Sequence, residues 1–181
     1  MTEEYCRTAQ WLNGLVGLTG IDVHHGDVTR LPFPDAAFTA VFSQHVQMNV
    51  ADKPALYHEA HRVLAPGGRL AIWDITAGTP GPLDHPLPWA DRPAHSHLIS
   101  ADDLRATVES AGFTVRRWTD HTDTAATVMQ AFLAQPPNPL GLHTFVPAFT
   151  DEGGQPRPRP RRWAPAGHPG GRDRLITHRG T

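Results

Sequence analysis

The sequence predicts an α/β protein built on an open, mainly parallel sheet. Three observations predict it. Apolar runs at Ile21–His25, Phe38–Ser43, Arg69–Ile75 and Phe113–Trp118 have the length and the β-branched or aromatic content of strands. Between them, Thr2–Leu15, Asp52–Leu64 and Ser100–Ser110 carry apolar residues at helical spacing. An acidic or polar group stands just past several strand ends, where such a sheet lines its ligand crevice.

With 181 residues the chain is expected to hold one domain, residues 1–150, followed by a tail over 151–181. The tail has 11 Pro and Gly among its 31 residues and 7 Arg against 3 acids, whereas residues 1–150 carry 9 Lys+Arg against 15 Asp+Glu. Apolar periodicity vanishes after Asp151, so the tail is expected to be disordered. Its charge alone suggests nucleic acid, but paired aromatic platforms are absent and no nucleic-acid partner is expected. No apolar run approaches the ~20 residues of a membrane span, and no signal pattern opens the chain, so a cytoplasmic location is expected. Cys6, the only cysteine, excludes an internal disulfide and a cysteine-cluster metal site.

In chain order, Thr2–Leu15 begins with a possible cap and two acids, and Gly14, Gly17 and Gly20 break it. Ile21–His25 alternates apolar residues and ends at Gly26-Asp27. Asp27 there can accept from an exocyclic amine such as adenine's, or serve only a turn. In Leu31-Pro32-Phe33-Pro34-Asp35, two prolines fix a loop whose Leu and Phe can plug apolar surface. Phe38–Ser43 is apolar enough for burial on both faces, and Gln44-His45-Val46-Gln47-Met48-Asn49 follows it. His45 is either a base or orienting donor, or an ordinary polar residue at a strand end. Asp52 caps the next helix, and Pro66-Gly67-Gly68 turns the chain into a strand that ends on Trp73 and Asp74.

Residues 76–99 form a long Pro/Gly/His segment, of the kind that covers sites. Its histidines lack a metal-ligand spacing, and Trp89 is the candidate aromatic wall against a substrate. Ser100 with Asp103 approximates a capping box, Phe113–Trp118 forms a strand, and His121–Gln135 is helical up to a proline cluster. A last apolar patch is expected near Phe145 and Phe149.

The segment Gly26-Asp27…Leu31-Pro-Phe-Pro-Asp35…Phe38, with Arg62-Val-Leu-Ala-Pro-Gly-Gly-Arg-Leu70 and Ser100-Ala-Asp-Asp-Leu104…Ala111-Gly-Phe113, resembles the class I S-adenosylmethionine-dependent methyltransferases over about residues 1–150. The nearest groups are the sarcosine/dimethylglycine and the ubiquinone/menaquinone-biosynthesis enzymes. The resemblance implies a Rossmann-like sheet of order 3-2-1-4-5-7-6 with strand 7 antiparallel. It further implies S-adenosylmethionine as cofactor, held by Asp27, Val28 and Gln44, with His45 beside the methyl-transfer point. Gln47 and Trp89 are then the substrate contacts, the acceptor is a small molecule (an amine or ring carbon), and no metal is required.

On this reading the chain supplies strands 3, 4, 5 and 6, lacks 1 and 2, and lacks 7. The glycine-rich loop after strand 1 and the acid ending strand 2 are not found. Read one nucleotide later with GC-rich codons, Asp151–Gly170 spells a helix, a turn and a strand, so a shifted frame is expected in the tail. Truncated in this way, the chain is expected to be marginally stable, its activity is in question, and a non-catalytic protein-binding module is the alternative.

Overall fold

The computed structural model describes residues 3–78, 81, 83, 85–134 and 171–179, the last of these as backbone. Four helices, α1 (Glu3–Leu15), α2 (Lys53–Val63), α3 (Ala101–Ser110) and α4 (Thr122–Ala134), accompany four strands, β1 (Phe38–Gln44), β2 (Leu64–Ala77), β3 (Val115–Asp120) and β4 (Gly171–Arg179). The sheet runs β1-β2-β4-β3. β1 and β2 are parallel, and β4 lies antiparallel to both of its neighbours.

The helix starts obey capping chemistry. The Asp52 carboxylate accepts from Ala55 N–H at 3.0 Å, and Pro54 sits where a missing N–H costs nothing. Ser100 Oγ accepts from Asp103 N–H at 3.1 Å and donates to Asp103 Oδ2. On one face of the sheet, Leu70 and Ile72 of β2 pack with Leu56, Tyr57 and Ala60 of α2, Leu104 and Val108 of α3, and Phe113. Asp74 and Thr76 continue that buried row towards the C-terminal end of β2.

The Pro66-Gly67-Gly68 segment stops α2, as expected, but it lies within β2 as an irregularity. Phe38 pairs with Leu64 and Ala40 already with Arg69, so the chain bulges between them. Gly67 has φ +76°, and a Cβ on Gly68 would stand 2.7 Å from the Ala65 carbonyl oxygen. Both positions therefore require glycine.

Two expectations are corrected. Ile21–His25 is not a strand. No described strand lies beside it, and an isolated extended segment leaves its ladder groups unpaired. The segment is held by α1 instead, through Cys6 Sγ and Gln10 Nε2 on the carbonyls of His24 and Val23. The second correction concerns the C-terminus, where Gly171–Arg179 is a nine-residue strand rather than disordered tail. It takes the place that strand 7 holds in the expected order, in the frame as written. Pairing on both sides satisfies its backbone, which outweighs the high Arg content of the segment. The expected apolar patch at 140–149 and the rest of the tail, 151–170, lie outside the described residues.

Candidate active site

Because β1 and β2 run parallel, Gln44, the last residue of β1, stands beside Trp73 of β2, which continues to Ala77. The chain then leaves β1 through a tight turn. His45 adopts the left-handed backbone region, φ 51°, and its N–H donates to the Trp73 carbonyl at 2.9 Å. A histidine held there is strained by about 1 kcal/mol, and such strain gathers at functional sites. The next two N–H groups, of Val46 and Gln47, both donate to Asp74 Oδ2 at 3.1 Å, while Asp74 Oδ1 accepts from Ile75 N–H at 3.0 Å. Asp74 is fully buried. Burial pushes its carboxyl pKa up, and the three N–H donors oppose that rise. The side chains of Gln44 and His45 are exposed at this end of the sheet.

Gln47 is the expected substrate contact. It is fully buried, and its Nε2 donates to the Ile75 carbonyl at 2.5 Å. Trp89 is half-buried in the 76–99 segment, and its Nε1 donates to Ser96 Oγ at 3.1 Å. That segment is closed at its base by Ala77 N–H on the Ile99 carbonyl, and His97 N–H donates to the Met48 carbonyl at 2.8 Å. Lys53 lies beneath, with its Nζ donating to the carbonyls of Val50 and His97.

Asp27 stands apart from this cluster. Its Oδ1 accepts both the N–H and the hydroxyl of Thr29, at 2.9 and 2.7 Å, which holds the exposed carboxyl below its ordinary range. Val28 packs its side chain against the core. The loop that follows is pinned to α2. Glu59 Oε2 accepts from Leu31 N–H, and Arg62 donates to Glu59, to Asp35 and to the carbonyls of Phe33 and Leu31. Among the described residues no hydrogen bond or ring contact joins Asp27 or Val28 to the Gln44–Gln47 turn. The fold thus gathers Gln44, His45 and, through Ser96 and His97, Trp89 around one end of the sheet, with Asp27 and Val28 as a separate group.

Sequence reasoning identified Asp74 only as the end of a strand and gave Lys53 no role. Their signal is faint: one acid at a strand end, and the single lysine of a chain otherwise supplied with arginine. His95 Nδ1 meets Asp91 Oδ1 at 2.6 Å, but among the described residues no group of three or more His, Cys, Asp or Glu is placed to hold a metal ion. No described helix is long and apolar enough to cross a membrane.

Comparison with known proteins bears on this arrangement. Residues 2–72 match the family described as a methyltransferase domain. Over that stretch the chain is similar to the S-adenosylmethionine-dependent methyltransferases. A protein of Mycolicibacterium smegmatis named "Probable S-adenosylmethionine-dependent methyltransferase" is 33% identical over 96 residues, covering 52% of this chain and 36% of that protein. Demethylmenaquinone methyltransferase of Mycolicibacterium gilvum is 45% identical over 56 residues, 31% of this chain and 25% of the relative. The chain therefore spans well under half the length of these curated relatives. A solved geranyl diphosphate methyltransferase in complex with S-adenosylmethionine aligns with a TM-score of 0.68 at 13% identity, covering 99% of this chain and 66% of that one. At that identity the likeness shows the fold, and it extends through the C-terminal strand.

Proposed function

We propose that this chain builds the adenine side and the acceptor side of a site for transfer of a methyl group from S-adenosylmethionine to a small amine or ring carbon. The observation that carries the proposal is the strained His45 turn, locked by Trp73 and Asp74 of β2 where β1 ends. The donor set suits the cofactor's adenine. Asp27 is an exposed, ionised carboxylate whose two observed bonds both fall on Oδ1, so Oδ2 is the oxygen that receives an exocyclic amine. Val28 offers its backbone N–H beside it, and Gln44 presents an amide at the strand end.

S-adenosylmethionine supplies an electrophilic methyl on a sulfonium when bound. The chain's own residues have three tasks. Gln44 and the 45–50 turn orient the reactants, His45 accepts the proton released by an acceptor amine, and Trp89 in the 76–99 segment walls the acceptor from water. Aligning two reactants supplies most of such a rate enhancement, so no strongly perturbed acid or base is needed.

Calorimetric titration of the 181-residue chain with S-adenosylhomocysteine tests the reading. Binding is expected, weakened about tenfold in Asp27→Asn, which loses a charge-assisted bond to the amine. Folded chain that takes up none of the ligand overturns it.

A second reading, a non-catalytic module that pairs with another protein, is favoured by a different observation. Tyr5, Trp11, Leu12, Leu15 and Val16 of α1 and its end are exposed, Trp11 by 63%, and so is Phe42 on β1. Among the described residues β1 has a partner on one side only, and an open edge beside apolar surface is a template for another strand. On that reading the chain binds no S-adenosylhomocysteine and associates with increasing concentration.

A further inference from the structure

Two segments frame the acceptor side of the proposed site, 45–50 after β1 and 85–99 ahead of α3. Among the described residues a backbone hydrogen bond ties them, His97 N–H to the Met48 carbonyl at 2.8 Å. Beneath that tie lies Lys53, the first residue of α2 and the only lysine in the chain, 4% exposed. Its Nζ donates to the Val50 carbonyl at 2.8 Å on one side and to the His97 carbonyl on the other. One buried cation thus holds one carbonyl from each segment. Ser96, next to His97, receives Trp89 Nε1, which extends the tie to the aromatic wall.

We propose that Lys53 is a positioning residue, a buried clamp that fixes residues 85–99, and with them Trp89, over the turn carrying Gln44 and His45. The inference rests on the functional reading for what the clamp positions, but not for the clamp itself.

The choice of residue supports a role beyond filling space. A buried ammonium must recover its lost hydration, and an apolar side chain of the same length would pack there without that demand. What an apolar side chain cannot do is bind two carbonyls from segments that share no ladder. Burial pushes the ammonium's pKa down, and Asp74, which holds the same turn from the β2 side, opposes that fall. Both ends of the 45–50 turn are therefore fixed from below, at Val46 and Gln47 by Asp74 and at Val50 by Lys53.

Hydrogen exchange with mass spectrometry on the full chain tests the clamp without a ligand. In Lys53→Met, which keeps the aliphatic stem and removes the donors, amides of 46–50 and of 95–99 are expected to exchange about tenfold faster together, with α3 as an unchanged internal reference. Lys53→Arg, which restores a long cationic donor, should recover most of the protection in both segments. Acceleration of one segment alone, of neither, or no recovery in Lys53→Arg overturns the proposal.

Where Lys53→Met loses protection throughout, acylation of the wild-type chain with an N-hydroxysuccinimide ester decides. Lys53 carries the only ε-amine. A closed clamp predicts that it reacts at least about 100-fold more slowly than a lysine in an unfolded peptide, since reaction must await local opening. Reaction at the peptide rate refutes the clamp. Titration with S-adenosylhomocysteine judges the functional reading separately, so either can fail alone.

Discussion

Replacement of Asp74 distinguishes a carboxylate that organises a turn from one that merely fills the end of a strand. In Asp74→Ala, the N–H groups of Val46, Gln47 and Ile75 lose their acceptor together. A buried donor left unpaired costs about 1–3 kcal/mol, so the three set a loss of at least about 3 kcal/mol. In Asp74→Asn, the amide oxygen can take the place of Oδ2 and keep both bonds to the turn, forfeiting only the Ile75 bond. The substitution also removes a charge that burial disfavours, although it weakens the field that keeps Lys53 charged. Its net cost should be about 1 kcal/mol or less.

The pH dependence gives a second handle on the same residue. A carboxyl whose pKa is raised by folding keeps its proton in the folded chain while the unfolded chain loses it. Its contribution is therefore complete below 3.8 and declines as pH rises through the higher folded value, by up to about 1.4 kcal/mol per pH unit. Asparagine lacks this decline, so Asp74→Asn should gain on the wild type as pH rises through the window. Urea unfolding followed by circular dichroism, repeated between pH 4 and 8, measures both effects. Equal destabilisation by the two variants, or a wild-type pH slope retained in Asp74→Asn, would refute the assigned role.

Glu59 should behave with the opposite sign. Its pairing with Arg62 lowers the carboxyl to about 2 from 4.5, so its contribution is present above 4.5 and is lost as pH falls towards 2. Glu59→Gln should flatten the acid limb of the urea midpoint profile over that range, and a profile parallel to wild type would contradict the pinning of the 31–35 loop. His45→Gly should raise the urea midpoint, by about 0.5–1 kcal/mol in stability, because glycine accepts φ 51° without strain and the exposed imidazole contributes little packing. A lower midpoint would show that the imidazole itself holds the turn.

The helices and their caps were legible because their determinants are local. Asp52, Ser100 and the glycines that follow each helix act within a few residues of where they stand. Three strands, β1, β2 and β3, were legible for a related reason, since apolar runs between turn signals need no partner to be noticed. β4 was not. Its pairing joins Gly171–Arg179 to residues 69–77 and 115–120, a separation of fifty to a hundred residues, and interleaved arginines hide its Leu175-Ile176-Thr177 centre. The reverse error at Ile21–His25 has the same origin, because alternation marks a segment able to be a strand and a neighbouring ladder decides whether it becomes one. In the site, the position of Gln44 and His45 followed from the rule that ligands gather at the ends of parallel strands. The burial of Gln47 did not follow. Only closure of the turn onto Asp74 and Ile75 shows that this side chain is turned into the protein.

Helix α2 connects the two otherwise separate groups of site residues. Lys53, at its first position, reaches the loops at 45–50 and 76–99, while Glu59 and Arg62, in its second half, hold the loop at 31–35 that follows Asp27 and Val28. Nine residues of helix separate Lys53 from Arg62, about 14 Å at 1.5 Å per residue. That distance is too long for one side chain to bridge but lies within one rigid element. The helix is itself buried against β2 and α3 through Leu56, Tyr57 and Ala60, so its placement does not depend on what covers the open side of β1. Each end can then fail separately. Changes at Lys53 should disturb the acceptor side and leave the Asp27 loop in place, and changes at Glu59 should do the reverse. If both groups moved in either variant, the two halves would be coupled through the sheet, and α2 would not be the element that holds them in register.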